Sequence, residues 1–137
     1  MLQTTMSSLS GLPPFLAYFA LAVVLLMLFI LLYTWVTPHN ELELIRANNA
    51  AATIAFGGAL IGFSLPLSSA ITHSLSLIDC AIWGAVALVV QILTFIVARI
   101  FVKQLSERID RGEMAAGIFA ASCAIAVGLL NAACMSY

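Results

Sequence analysis

Charge is what this sequence has least of. Of 137 residues, five are Lys or Arg and six are Asp or Glu, against 64% hydrophobic residues and a mean hydropathy of +1.14. A soluble domain needs a charged exterior to stay dispersed, so this balance excludes one and indicates a membrane protein. The net charge of -1 and a pI near 6.0 exclude a nucleic-acid partner, which requires a basic face to neutralise phosphates. Cysteine is sparse too: Cys80, Cys123 and Cys134 share no CxxC spacing, and the two histidines, His39 and His73, are separated by a whole apolar span. No metal site and no cofactor are expected from such a set. The spans hold no Ser/His/Asp set, HExxH pair or carboxylate pair, so no enzymatic activity is expected. No Lys or Arg precedes the first apolar run, which is longer than a signal-peptide core, and the run is read as a retained helix. No cysteine follows it closely enough to anchor a lipid.

What is present is four apolar segments, at residues 15–35, 50–67, 78–101 and 115–135. A bilayer core takes about 20 helical residues, so the expectation is an all-α four-helix transmembrane bundle. The connections are short, which makes neighbouring helices antiparallel and leaves residues 1–137 as one integral membrane domain. All five basic residues, Arg46, Arg99, Lys103, Arg108 and Arg111, lie in or beside the first and third connections. Basic residues accumulate on the cytoplasmic side of short loops. The connections at Arg46 and from Lys103 to Glu113 are therefore placed in the cytoplasm and both termini outside, in the periplasm.

The second half of the stretch 37–69 is echoed without a gap 64 positions later, in the segment from Gln104 to Ala133, pairing Glu43 with Glu107, Ile45 with Ile109, Ile54 with Ile118, Ile61 with Ile125 and Leu65 with Leu129. This predicts two two-helix repeats, at about 15–70 and 79–135. With two helices each, both copies cross the membrane in the same sense, as a parallel duplication about an axis along the membrane normal.

The helices differ in character. The first is bulky and apolar all round, as a lipid-facing helix is, and after Thr37-Pro38 the pair Asn40 and Glu43 resembles a capping box. In the second, Gly58-x-x-x-Gly62 sets two glycines on one face, where another backbone can approach. Pro66 cannot donate to the Gly62 carbonyl, so a bend is expected there, with Ser64, Ser68, Ser69 or water serving the freed oxygen. Ser76 and Asp79 have the spacing of a second capping box. Gly84, Ala87, Gln91, Thr94 and Ala98 form a small or polar stripe that should face inward. Gln91, near the bilayer midplane, needs a partner from another helix or a second subunit. Glu107 and Arg111 stand at i, i+4 spacing in an alternating charged turn. The fourth helix has Ser122-x-x-x-Ala126 at the positions equivalent to Gly58 and Gly62, a ridge through Ala116, Ala120, Ala124, Gly128 and Ala132, and Asn131 near its end. Two small-faced helices should pack on each other or on a copy of themselves.

TPHNELELIRANNAAA, GFSLPLSSA, AAGIF and GLLNAACM together resemble the YjfL-like family of small bacterial inner-membrane proteins. The resemblance implies a bacterial inner membrane, two tandem two-helix units, no assigned enzymatic activity and an envelope or stress setting. In that family an Asn often precedes the Ala pair in both copies. Here Asn49 precedes Ala50, Ala51 and Ala52, whereas Glu113 and Met114 precede Ala115 and Ala116. The leading expectation is a non-catalytic module that sits in the lipid bilayer, forms a homo-oligomer through its small-residue faces and offers its cytoplasmic connections to a protein partner. The alternative is an oligomeric channel or transporter for a small solute or ion, with a path along Gln91, Thr94, Ser122 and Asn131. Asn48, Asn49, Gly58, Gly62, Pro66, Gln91, Thr94 and Asn131 are the candidate functional or packing residues.

Overall fold

A computed structural model describes residues 1–37 and 41–135. Seven helices are described: α1 (Leu2–Ser10), α2 (Leu12–Val36), α3 (Glu41–Arg46), α4 (Ala50–His73), α5 (Leu77–Phe101), α6 (Leu105–Asp110) and α7 (Met114–Cys134). Four stretches are long and apolar enough to cross a membrane: Leu2–Val36, Ala50–His73, Leu77–Phe101 and Met114–Cys134. The first includes α1, which the sequence did not suggest. The expected capping box lies outside the described residues at Asn40. Half of the other forms: the Asp79 amide donates to the Ser76 hydroxyl at 3.1 Å, but the Asp79 carboxylate accepts from the amide of Leu75, one residue before the cap, at 3.1 Å.

α4 is the centre of the bundle and packs most extensively on α7. Added Cβ atoms show how close the two backbones come. A methyl at Gly58 would overlap Ala121, one at Gly62 the Ala124 carbonyl, one at Gly117 the Ala51 backbone and one at Gly128 the Gly62 backbone. Near the far end the Ser69 hydroxyl donates to the Ala132 carbonyl at 3.0 Å. Contact positions on both helices rise together, so α4 and α7 run parallel. Their small residues thus serve each other within one chain.

The face of α7 that meets α4 is Gly117, Ala121, Ala124 and Gly128, whereas Ser122 and Ala126, the positions equivalent to Gly58 and Gly62, are exposed. α5 lies against both α4 and α7, and α2 against α4 and α5, where Leu25 covers Gly84. The first long helix is therefore not lipid-facing all round. It buries Leu25, Phe29 and Tyr33; Phe29 stacks on Phe63 with centroids 4.7 Å apart and Tyr33 meets Phe95 edge-on at 5.3 Å. A stripe this apolar on every side gives no amphipathic signal by which its inner face could be recognised.

Short helices α3 and α6 lie together at the basic end of the bundle. Both close with the same pair of backbone hydrogen bonds: Asn48 to Ile45 and Asn49 to Leu44 after α3, Gly112 to Ile109 and Glu113 to Arg108 after α6, all of 2.9–3.0 Å. Asn48 (φ 67°) and Gly112 (φ 83°) supply the left-handed residue that this closure needs. α3 and α6, and likewise the starts of α4 and α7, are 64 residues apart.

Candidate functional site

The buried polar centre forms around a missing hydrogen-bond donor. α4 continues through Pro66 as far as His73, so Gly62 loses the amide that would have closed its turn. The expected serines Ser64 and Ser69 donate elsewhere, to the carbonyls of Leu60 and Ala132. Gln91, 3% exposed on α5, donates its Nε2 to the Gly62 carbonyl at 3.1 Å and to the Ala124 carbonyl of α7 at 3.3 Å. Two carbonyls at one end of the amide fix its orientation, because only the nitrogen can donate. One side chain thereby ties three helices at the point where α4 and α7 are closest. The partner comes from the same chain, and no second subunit is needed for it.

Beside this tie lies a cavity of about 10 Å³, bordered by Tyr33, Gln91, Thr94 and small residues including Ala55, Ala59 and Ala120. It has room for one water at most, not for a solute. The remaining residues of the expected polar path do not extend it. Thr94 and Ser122 donate their hydroxyls to carbonyls of their own helices, Val90 at 2.8 Å and Ile118 at 2.7 Å, and Ser122 points outward. Asn131 lies further along α7, with a buried Nδ2 that makes no hydrogen bond among the described residues. Gly62, Pro66 and Gln91 are thus brought together, and Thr94 borders the same cavity, while Asn131 and the Asn48–Asn49 turn lie apart.

At the basic end Asn49 performs two tasks. Its Oδ1 accepts from the Ala52 amide at 3.0 Å and caps α4, and its Nδ2 donates to the carbonyls of Ile109 and Asp110 at 3.2 and 3.0 Å. Those oxygens end α6, so Asn49 clamps the two basic connections together. Asn48 beside it is exposed and contributes its left-handed backbone. Glu113 occupies the corresponding place before α7 and makes no side-chain cap. Its carboxylate instead takes Arg108 at 3.0 Å and Arg111 at 2.9 Å. The hydrogen bond from Arg108 is the main cause that holds the Glu113 carboxyl below the usual carboxylate range. Arg111 therefore pairs with Glu113 and not with Glu107, because the left-handed turn at Gly112 swings Glu113 back between the two guanidinium groups.

Sequence reasoning passed over Glu41, which is 1% exposed and accepts a hydrogen bond from the Thr37 hydroxyl at 2.9 Å. The i, i+4 spacing of Thr37 and Glu41 was the available signal. It also missed an apolar groove of about 470 Å³ between α5 and α7, lined by Val90, Leu93, Val97, Cys123, Ala126 and Val127 among others. The three cysteines are free thiols. No group of three or more His, Cys, Asp or Glu side chains suited to a metal occurs among the described residues.

The sequence profile of the Domain of Unknown Function (DUF350) matches residues 6–135. The chain is 44% identical to the UPF0719 inner membrane protein YjfL of Escherichia coli (strain K12) over 132 residues, which cover 96% of this chain and all of that protein. It is 27% identical to the UPF0719 transmembrane protein YshE of Bacillus subtilis (strain 168) over 115 residues, 82% of this chain and 84% of that one. No solved structure matches the chain.

Proposed function

The chain belongs to the DUF350 family, and on that premise we propose that it is a non-catalytic multi-pass inner-membrane module that self-associates and presents its basic connections to a cytoplasmic protein partner in an envelope or stress setting. The observation that carries this reading is Gly57. A Cβ added there would meet nothing within 4 Å, whereas Gly58 and Gly62 on the neighbouring face are closed off by α7. A helix-interior glycine costs about 1 kcal/mol relative to alanine, and nothing inside the bundle uses this one. Thr53 and Ser64 flank it on the same outward face. Small residues on a membrane helix let another helix approach closely, and lipid tails gain nothing from them.

The clustering of all five basic residues at the end that carries α3 and α6 supports a cytoplasmic position for that end and an outside position for both termini. The matching turns and helix starts 64 residues apart support a tandem duplication. Native mass spectrometry in mild detergent tests the reading. Oligomers, or a stoichiometric co-purifying protein, are expected; monomers alone with nothing bound would overturn it.

A further inference from the structure

We propose that copies of this chain join head to tail into a ring, each new interface repeating the contact that α4 makes with α7 inside one chain. The proposal rests on the self-association just described and on the 64-residue offset. Its starting point is that the internal contact is not twofold. α4 uses Ala51, Gly58 and Gly62, while α7 uses Gly117, Ala121 and Gly128, which the offset carries onto Thr53, Gly57 and Ser64. These are the outward positions of α4. Conversely, the offset carries Ala51, Gly58 and Gly62 onto Ala115, Ser122 and Ala126, all exposed on α7. Each half therefore has a donor face and an acceptor face. One pair is closed inside the chain, and the complementary pair is left open at the two sides of the molecule. A heterologous contact of this kind propagates and, with copies rotated about the membrane normal, closes as a ring.

The apolar groove gives a second, separate observation. Leu93, Val97, Cys123, Ala126 and Val127 in its wall correspond to Phe29, Tyr33, Ala59, Gly62 and Phe63. The latter surface receives α5: Tyr33 meets Phe95, and the Gly62 carbonyl takes Gln91. The helix that stands 64 positions before α5 is α2. At the places of Ala87, Gln91 and Phe95 it carries Val23, Met27 and Leu31, which are 43%, 53% and 61% exposed. α2 of the next copy is the occupant that fits. The polar chemistry changes consistently with this. Where Pro66 frees a carbonyl, Gln91 serves it; at the open groove Leu130 stands in place of Pro66, no carbonyl is freed, and Met27 stands in place of the amide. At the basic end the same shift sets Glu113 against the C-terminal turn of the next copy's α3, which carries Arg46, in place of Asn49 against Ile109 and Asp110. The hydrogen bonds do not repeat there, because Asn49 donates to carbonyls whereas the Glu113 carboxylate only accepts and is held by Arg108 and Arg111 of its own chain.

Cysteine cross-linking in native membranes tests the ring, with Cys80, Cys123 and Cys134 replaced by alanine. Gly58 against Ala121 inside the chain becomes Ser122 of one copy against Gly57 of the next. Gly57→Cys and Ser122→Cys should each stay uncross-linked alone and give disulfide dimers when co-expressed, and a chain with both substitutions should give a ladder. Ala126→Leu, at an exposed position, should lower the oligomer-to-monomer ratio at least tenfold with unchanged helical content. Disulfides formed by Gly57→Cys alone or Ser122→Cys alone would mean a twofold contact and overturn the ring. So would oligomers in native mass spectrometry without the mixed cross-link. Monomers throughout would overturn self-association itself.

Discussion

At the residue scale, Gln91 and Pro66 form one device. Proline takes a donor away from the Gly62 carbonyl and the glutamine side chain replaces it from another helix. Gln91→Leu leaves that oxygen buried without a donor, and a loss of about 1–2 kcal/mol is expected. Pro66→Ala restores an amide to α4, so the double variant should lose clearly less than Gln91→Leu alone, a coupling that thermal unfolding in detergent or nanodiscs measures. Additive losses would mean that the two residues act separately. Glu113 gives a pH dependence of definite sign. Its carboxyl is held low chiefly by the Arg108 hydrogen bond, so its contribution is present above the pKa of the unfolded chain and is lost as pH falls through the lower folded value. A carboxyl NMR titration should place the Glu113 midpoint below that of a free glutamate, and Arg108→Gln should raise it. Both residues were conspicuous in the sequence. Their partners were not, because Gln91 bonds to backbone 29 and 33 positions away.

At the scale of elements, the pairing of α4 with α7 depends on the absence of side chains. A methyl at Gly117 or Gly128 would press on backbone, which cannot yield as a flexible side-chain end can. Gly117→Ala and Gly128→Ala should each cost about 1–3 kcal/mol through overpacking. Gly57→Ala should leave the monomer unchanged or up to about 1 kcal/mol more stable, since the added methyl meets nothing and alanine favours the helix. Comparing the three variants by thermal unfolding in monomerising detergent separates the closed face from the open one. The small residues were legible in the sequence, as was the chance that two such helices would meet. Which small residues would meet was not. Ser122 and Ala126 match Gly58 and Gly62 in sequence, yet the interface takes Gly117, Ala121, Ala124 and Gly128, since the helices meet by unlike faces.

At the scale of the whole molecule, four apolar spans and two short basic-end helices make a bundle whose polar centre is occupied by its own side chains. The proposed orientation can be checked by reaction of single cysteines with a membrane-impermeant maleimide in intact cells. Ser74→Cys, in the connection before α5, should react from outside, and Arg46→Cys should react after the membrane is opened; the reverse pattern would invert the topology. The amino-acid sequence by itself determined that this is a four-helix membrane protein, because hydropathy and length are local sums over each segment. Only the tertiary structure decided that Gln91 serves Gly62, that α2 has an inner stripe and that one small-residue face is closed while its counterpart stays open. Those facts depend on the rotation of each helix about its own axis. A helix apolar on every side carries no local signal for that rotation, and close packing between backbones fixes it.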